Sequence, residues 1–320
     1  MQKIKLATTE LMVSPLCLGT VNYGSDMSVK DSLHQLSHYV QLGGNFIDTA
    51  RIYGIWAGKG EALSERIIGQ WIKETGLRDK IVLATKGAHP DWDQMDTMRV
   101  QPHMITEDLD KSLKHLCMDV IDLYFLHRDD PAVPVIDILL ELEKAVKQGK
   151  IKHYGCSNWT LARILEAERV AKEEGLTGFV CNQLMWSLAD VHFDGLTDKT
   201  FVLMDDEMYA NHTRTGMGAM AYMSIAKGYF MRRAAGENLP QSVRAVYDTA
   251  ENERIYHTMT INNADPLTAS LTYLTNHPFA SVAIASFDSD QQLEDAMGCY
   301  ENKYDAKLMD ALAKEKRFIV

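Results

Sequence analysis

Short apolar runs, each ending in a polar residue or a glycine, recur along the chain. Runs of this length and composition are typical of buried strands. Eight of them are present, at residues 15–20, 45–48, 81–86, 120–127, 153–158, 179–183, 219–222 and 281–285. Between the runs, apolar residues recur at helical spacing, as in Ile136, Leu139, Leu142 and Val146. Gly149 follows that segment as an expected helix stop. The pattern therefore predicts eight strands alternating with helices.

This alternation predicts an α/β fold in which a parallel sheet closes into a (β/α)8 barrel, the TIM barrel. A doubly wound open sheet is the alternative, and it usually carries G-x-G-x-x-G after its first strand. Gly58 and Gly60 give the nearest approach to that motif, but Leu63 stands where the third glycine belongs. We therefore expect the barrel.

The barrel is expected to be one domain over residues 1–320, because α/β barrels routinely run to about 200–250 residues or more. Residues 1–13 are expected to form a hairpin that closes the bottom of the barrel. Two long stretches, residues 187–216 and 228–278, follow the sixth and seventh strands. They are expected to form lids or walls at the C-terminal face.

The amino-acid composition limits the kind of protein this can be and the partners it can bind. Hydrophobic residues make up 46% and charged residues 24%, as in ordinary globular enzymes. The chain has 33 basic and 44 acidic residues, a formal charge of −11 that repels phosphate backbones. Nucleic acid is thus excluded as the main partner. No apolar stretch is long enough to span a membrane, so no membrane partner is expected either. The composition leaves the oligomeric state open.

The cysteines and the first residues bear on the compartment. The five cysteines are odd in number, and no two are spaced as C-x-x-C, so neither disulfides nor a zinc site is expected. His34 and His38 share a helix face without a nearby carboxylate pair, and no metal site is predicted. The first ten residues, MQKIKLATTE, lack the features of a secretory signal. A reducing cytoplasm is the expected location.

Three reactive side chains fall at the ends of neighbouring strands, and a fourth, Tyr53, lies in the loop five residues after Asp48. The four are Asp48, Tyr53, Lys86 and His127. Each one alone has an ordinary explanation, as a helix cap, a solvated loop residue or a core histidine. In a barrel, however, the C-terminal strand ends meet at one mouth, where catalytic groups project.

Together the four groups suit proton transfer to a carbonyl. A phenol has a pKa of about 10, and a neighbouring ammonium brings that pKa toward neutrality. Asp48 would hold Lys86, while His127 would orient a carbonyl oxygen against Tyr53. A hydride must come from a cofactor, because no side chain carries one.

Several segments resemble the aldo-keto reductases, in particular the bacterial branch of that superfamily. They are residues 46–54, 84–86, 122–127, 149–158 and 181–183. The resemblance runs in order from about Leu18 to Tyr300, and all four positions of the family's Asp-Tyr-Lys-His tetrad are filled. It implies a barrel that binds NAD(P)(H) in an extended form without a Rossmann fold.

The resemblance also implies cofactor contacts. Ser157, Asn158 and Gln183 match the residues that hold the nicotinamide carboxamide, Tyr222 the aromatic that stacks on its ring, and Thr20 a residue near its ribose. Residues 224–228 resemble the pyrophosphate loop, with Ser224 and with Lys227 in place of the Arg common in the bacterial branch. The alternative to these cofactor roles is that the residues only cap strand ends or pack in the core.

At the adenosine end the chain departs from the family. The matching positions are Ser286, Phe287, Asp288, Ser289, Gln292, Asp295 and Ala296. The usual basic residue is missing, and Asp288 stands near its place. A carboxylate repels a 2′-phosphate but accepts a hydrogen bond from a free 2′-hydroxyl. We therefore expect NAD(H) rather than NADP(H), although Arg232 or Arg233 could reverse this preference.

The expected substrate pocket is rich in aromatic and basic residues. Its candidates are Tyr23, Trp56, His89, Trp92, Arg128, Trp159, Trp186 and Tyr229. Indole faces pack on sugar C–H surfaces while Arg and His bond hydroxyls, so a sugar, cyclitol or glycoside is expected. The alternative is that these residues are surface aromatics or helix caps without a role in substrate binding.

The function predicted from the sequence is that of an NAD(P)-dependent carbonyl reductase or alcohol dehydrogenase, acting on a small-molecule carbonyl or polyol. Two alternatives stay open. One is a sensing or regulatory subunit that binds the cofactor with little turnover, as some members of the superfamily do. The other is an isomerase or lyase that uses the nicotinamide transiently.

Overall fold

A closed barrel of parallel strands forms the centre of the computed structural model, which describes residues 1–301 and 306–316. Residues 302–305 and 317–320 of the expected domain lie outside the described residues. A two-stranded antiparallel hairpin, β1 (Ile4–Lys5) and β2 (Met12–Val13), precedes the barrel. The barrel strands are β3 (Leu16–Gly19), β4 (Phe46–Asp48), β5 (Val82–Gly87), β6 (Ile121–Leu126), β7 (Ile151–Ser157), β8 (Cys181–Met185), β9 (Gly218–Tyr222) and β10 (Ser281–Ala285). They neighbour one another in chain order, and β10 pairs with β3 to close the ring. The predicted (β/α)8 barrel is confirmed.

Helices surround the barrel. They are α1 (Val29–Gln41), α2 (Leu63–Thr75), α3 (Pro102–Leu116), α4 (Val135–Lys147), α5 (Leu161–Glu174), α6 (Asp206–Thr215), α7 (Tyr229–Ala234), α8 (Gln241–Tyr247), α9 (Ala250–Ile261), α10 (Pro266–Leu274), α11 (Asp290–Gly298) and α12 (Ala306–Lys316). Within the described residues, no helix has the length and apolar character needed to cross a membrane.

Strand periodicity separates two apolar layers. Successive side chains of a strand point to opposite faces. In β4, Phe46 packs inside the barrel, whereas Ile47 packs outward against the helices. In β5, Val82 and Ala84 likewise point inward, and Leu83 points outward. The register therefore decides which side chains at the strand ends enter the mouth.

The hairpin closes the bottom of the barrel, as expected from the sequence. Leu6, Leu11 and Val13 are buried in the same cluster as the inward side chains Phe46 and Val180. Because the hairpin fills this end with apolar side chains, the mouth at the C-terminal strand ends is the accessible face of the barrel.

The two long stretches both contain helices, and the second is the more helical. Residues 187–216 contain a 3₁₀ turn, Phe193–Gly195, and end in α6. Residues 228–278 contain α7 to α10, which join the outer layer. The first stretch contributes Phe201 to a cavity at the mouth. The residues that line this cavity include none from the second stretch, whose role as a lid or wall stays a prediction.

Candidate active site

Strand register brings the four reactive side chains to the mouth. Asp48 lies two residues after the inward-facing Phe46, and Lys86 two residues after the inward-facing Ala84. His127 follows Phe125, which also faces inward, by the same interval. The backbone N–H of Tyr53 donates to Ala50 O at 3.0 Å in the turn after β4. Four residues that are distant in the sequence thus meet at one end of the barrel.

Lys86 is the hub of the cluster. Its buried Nζ donates to Asp48 Oδ2 at 2.6 Å, to Thr49 O at 2.8 Å and to Tyr53 Oη at 3.0 Å. An ammonium has three N–H donors, so all three are used. Asp48 Oδ1 also accepts a hydrogen bond from Gln183 Nε2 at 2.9 Å. The phenol of Tyr53 is therefore fixed by a charged donor that is itself held in place.

Burial dominates the proton affinities of this site. It raises the pKa of Tyr53 above the ordinary 10, although Lys86 opposes the change. Burial also raises the pKa of Asp48 against the opposing effect of Lys86, while the pKa of Lys86 is raised by Asp48 and Tyr53 in spite of its burial. The expectation that Lys86 brings the pKa of Tyr53 toward neutrality is thus wrong in net direction, since desolvation outweighs the ammonium.

His127 is a neutral imidazole. Burial lowers its pKa well below the ordinary 6.5, and His89 and Arg128 act in the same direction. Its ring lies 6.0 Å from that of Tyr53 and 4.8 Å from that of His89, centroid to centroid. A neutral imidazole keeps one N–H donor, which can bond a carbonyl oxygen.

A cavity of about 450 Å³ opens beside these groups. Asp48, Tyr53 and His127 line one part of it. The rest of the lining includes most of the expected cofactor residues, namely Thr20, Ser157, Asn158, Gln183, Tyr222, Ser224, Lys227 and Ser286. The donors and acceptors expected for a nicotinamide and its phosphates therefore share one cavity with the reactive phenol.

The comparisons agree with this geometry. A model described as the aldo/keto reductase family matches residues 15–316. The chain belongs to the aldo/keto reductase family.

Three relatives illustrate the range of this similarity. "Uncharacterized oxidoreductase YrpG" of Bacillus subtilis (strain 168) is 30% identical over 98% of this chain and 95% of its own. "Norsolorinic acid reductase B" of Dothistroma septosporum is 29% identical over 70% of this chain and 56% of its own. "Probable voltage-gated potassium channel subunit beta" of Oryza sativa subsp. japonica is 28% identical over 79% of this chain and 72% of its own. Aldo/keto reductases are oxidoreductases that use NAD(P)H, and small-molecule carbonyls are their substrates.

Several of the expected cofactor residues of this aldo/keto reductase form hydrogen bonds at the mouth of the barrel. Asn158 Oδ1 accepts hydrogen bonds from Tyr222 Oη at 2.6 Å and from Val202 N at 3.2 Å. Ser224 Oγ donates to Ile284 O at 2.7 Å. Thr20 Oγ1 donates to Asp48 O at 2.9 Å. These bonds link β3 to β4, β7 to β9 and β9 to β10 at the mouth, so several parts of the cavity wall are held in place.

The segment after β9 turns sharply. Met223, Ala226, Lys227 and Gly228 all have positive φ, between 49° and 77°. Within this turn Ala226 N donates to Met223 O and Gly228 N donates to Ile225 O, each at 2.8 Å, so the sharp turn is held by its own backbone. Lys227 adds a positive charge to the same part of the cavity lining.

The adenosine-end residues surround the start of α11. Ser289 Oγ accepts from Gln292 N at 3.3 Å, and Gln292 Oε1 accepts from Asp288 N at 2.9 Å. Asp295 Oδ1 accepts from Gln291 Nε2 at 2.8 Å. Of the expected set, Ser286 lines the cavity, whereas Asp288, Gln292 and Asp295 are not among its lining residues.

Four of the expected pocket residues lie near the tetrad. Arg128 lines the cavity, and its Nη2 pairs with Asp198 Oδ2 at 3.1 Å. The ring of Trp56 lies 6.5 Å from that of Tyr53, and Trp92 lies 5.9 Å from Trp56. His89 packs on His127.

The other four expected pocket residues are fully or almost fully buried, and their assignment to the pocket stays a prediction. All are buried among the core elements and none lines the cavity: Tyr23, Trp159, Trp186 and Tyr229. Tyr23 Oη donates to Gln35 Oε1 in α1 at 3.1 Å. Residue type alone suggested these positions, and large aromatic rings serve the packing of a barrel against its helices equally well.

Phe201 was not foreseen from the sequence. It lines the cavity, and its ring lies 5.6 Å from that of Tyr222. The guanidinium of Arg128 lies 5.8 Å from its ring centroid. Met185 N donates to Val202 O at 2.9 Å and so fixes this segment. The only feature of the sequence that pointed to Phe201 is its position in the long stretch after the sixth strand.

Proposed function

We propose that this protein interconverts a carbonyl and an alcohol with a nicotinamide cofactor, with Tyr53 as the general acid and base. The observation that carries the proposal is the set of three hydrogen bonds from Lys86 Nζ, one of them to Tyr53 Oη at 3.0 Å. A lysine held charged by Asp48 favours the phenolate that remains after proton donation.

The residues divide the reaction between them. A bound nicotinamide supplies or accepts the hydride. His127 would orient the carbonyl oxygen with its N–H, and Tyr53 would donate the proton as negative charge develops there. Lys86 would stabilise the resulting phenolate, and Asp48 would keep Lys86 charged. For alcohol oxidation the proton moves in the opposite direction.

The cavity lining fits such a cofactor. Gln183 donates its amide hydrogen to Asp48 and keeps its carbonyl oxygen for a carboxamide N–H. Ser157 lies beside it, at the end of β7. Lys227 lines the same cavity and suits the pyrophosphate as a point charge. These features support binding of NAD(P)(H) along the mouth.

For the cofactor we propose a preference for NAD(H). Residues 286–296 contain no basic side chain, and Asp288 precedes α11. Arg232 pairs with Glu237 at 3.0 Å, and Arg233 pairs with Glu253, so both are engaged within the protein. A 2′-phosphate would meet carboxylates here, whereas a free hydroxyl would find acceptors.

The preference is tested by measuring dissociation constants of NADH and NADPH by fluorescence. We expect NADH to bind more tightly, and Asp288→Arg to tighten NADPH binding roughly tenfold by adding one charge pair. Asp119→Arg, the same change at an exposed site on the barrel bottom, is the control and should leave both constants unchanged. Tighter NADPH binding by the wild type would overturn the preference.

For the substrate we propose a sugar, cyclitol or other polar carbonyl or polyol. Trp56 and Trp92 are partly exposed, and the buried Arg128 lines the cavity beside His127. Indole faces suit the C–H surface of a sugar, and guanidinium N–H groups suit its hydroxyls. Turnover of a panel of sugars, polyols and apolar aldehydes tests this class; activity confined to the apolar aldehydes would reject it.

A sensing or regulatory subunit is the second candidate, favoured by the similarity to a relative named as a potassium channel subunit beta. Such a protein would bind the cofactor through the same cavity. Net oxidation of NAD(P)H with any panel member, at rates well above the blank, supports the enzyme. Tight cofactor binding without turnover across the panel would support the sensor.

A further inference from the structure

A ring of four charged side chains lies beside the tetrad. Arg51 Nη2 bonds Asp91 Oδ1 at 3.0 Å, and Asp91 Oδ2 accepts from Arg99 Nη1 at 3.0 Å. Arg99 Nη2 donates to Asp108 Oδ1 at 2.7 Å, and Arg51 Nε lies 3.2 Å from the same oxygen, without hydrogen-bond alignment. Two arginines and two aspartates thus close a circle whose formal charge is zero.

The ring is mostly buried. The side chain of Asp108 is fully buried, those of Arg51 and Arg99 are 4% and 11% exposed, and that of Asp91 is 38% exposed. Buried charges are costly unless they are paired and hydrogen-bonded, and removal of one partner leaves another uncompensated. Each member therefore constrains the positions of the others.

Three segments of the chain meet in this ring. Arg51 belongs to the turn after β4, and its backbone N–H donates to Lys86 O at 3.0 Å. Asp91 and Arg99 belong to the segment after β5, and Asp108 belongs to α3. The ring thus connects the backbone of the tetrad to the segment that follows Lys86.

The ring holds the first residues after β5 directly. Asp108 Oδ2 accepts from Ala88 N at 2.9 Å, and Arg51 Nη2 donates to His89 O at 3.2 Å. Ala88 has φ of 59°, a left-handed conformation that a residue with a Cβ adopts only when its surroundings compel it. Asp108 supplies that restraint through the amide of Ala88.

The same segment carries two rings of an aromatic arc around the reactive phenol. His89 packs on His127 at 4.8 Å, and His127 lies 6.0 Å from Tyr53. On the other side, Tyr53 lies 6.5 Å from Trp56, which lies 5.9 Å from Trp92. Both ends of the arc, His89 and Trp92, therefore lie in residues 88–92.

We propose that Asp108 is a positioning residue for substrate binding: through the four-charge ring it fixes residues 88–92, so that His89 and Trp92 form the wall of the substrate site. Asp108 touches neither cofactor nor substrate in this account. The inference rests on the proposed function, because it assigns these residues to the substrate side of the phenol.

Asp122 offers a matched control. It is buried like Asp108, its Oδ2 accepts from Leu83 N at 2.9 Å, and it pairs with two cations, Arg78 and Lys152. Asp122 differs from Asp108 in location, since it contacts the start of β5 whereas Asp108 contacts the residues after its end. Asp108→Asn and Asp122→Asn therefore remove one equivalent charge at the top and at the bottom of the barrel.

The first test is kinetic. The probe is the carbonyl compound of the panel that the wild type reduces fastest. Asp108→Asn should raise KM for this compound about tenfold, with a smaller change in kcat and an unchanged Kd for NAD(P)H. Asp122→Asn should leave KM unchanged at a comparable loss of Tm. Equal effects of the two variants on KM would overturn the proposal, because burial of a carboxylate alone would then explain them.

The second test is independent of turnover. Amide hydrogen exchange over residues 87–95, followed by mass spectrometry, should be faster in Asp108→Asn than in wild type and unchanged in Asp122→Asn. Unchanged exchange in Asp108→Asn would overturn the proposal even if the protein proved to be a sensor without turnover. If Asp108→Asn does not fold, Arg99→Met breaks two links of the ring at its more exposed side, and the same outcomes apply.

Discussion

At the scale of single residues, the site depends on how one buried ammonium is paired. Lys86 and Asp48 are both withdrawn from water, and their 2.6 Å contact offsets a large desolvation cost. The fold therefore tolerates these two charges only as a pair, since either buried charge alone would strongly lower the free energy of unfolding. The same pairing keeps Lys86 positive beside the phenol.

Lys86→Met is therefore expected to lower the free energy of unfolding by about 3–5 kcal/mol, because Asp48 is left as an unpaired buried carboxylate. Asp48→Asn combined with Lys86→Met should lose less than the single variant, since no charge remains buried. Urea denaturation of the four proteins in this double-mutant cycle measures both quantities. Additive losses would contradict the account.

A second expectation concerns pH. Burial lowers the pKa of His127 well below 6.5 and raises that of Tyr53 above 10. The imidazole is neutral above its pKa, and the phenol is protonated below its own, so the form active in reduction spans the interval between them. Plots of kcat/KM for carbonyl reduction against pH should be flat from 6.5 to 10 and fall above it. A bell-shaped profile centred within this interval would refute it.

Residue identity predicted the tetrad better than the substrate pocket, for a physical reason. Asp48, Lys86 and His127 stand at the ends of recognisable apolar runs, and the C-terminal strand ends of a barrel meet at one mouth. Tyr23 and Trp186 have no such constraint in the sequence, and apolar aromatic rings pack equally well in a core. The four-charge ring joins residues from separate segments, and no local pattern reveals it.

At the scale of elements, strand alternation and the N-terminal hairpin determine which end of the barrel is open. The eight apolar runs predicted the barrel strands because a strand buried on both faces leaves a continuous apolar signature. The helices within residues 228–278 were not predicted individually, because α9 and α10 lack a strongly one-sided apolar face.

The hairpin makes a testable contribution to stability. Leu6→Ala should lower the free energy of unfolding by about 2–5 kcal/mol, because the residue is fully buried in the barrel floor. Met12→Ala, at a half-exposed site of the same hairpin, is the control and should change it by less than about 0.5 kcal/mol. Urea denaturation checks both, and the two variants should keep the wild-type kcat/KM. Equal stability of the two variants would show that the hairpin is not a structural floor.

At the scale of the whole molecule, the closed parallel sheet brings the C-terminal ends of its eight strands to one mouth. Membership of the aldo/keto reductase family agrees with that architecture. The chain carries a formal charge of −11, yet the mouth contains Lys86, Arg128 and Lys227. Local donors rather than the overall field must therefore hold an anionic cofactor. Proton transfer by Tyr53 is the central claim about this mouth.

The most direct test compares Tyr53→Phe with Tyr124→Phe, a matched change at a buried tyrosine of β6 whose hydroxyl has no hydrogen-bond partner among the described residues. NAD(P)H absorbance is followed with the best carbonyl of the panel, and cofactor affinity is measured in parallel. Tyr53→Phe should lower kcat roughly 10²–10⁴-fold with unchanged cofactor binding, while Tyr124→Phe keeps the wild-type rate. Turnover by Tyr53→Phe close to that of the wild type would contradict the account.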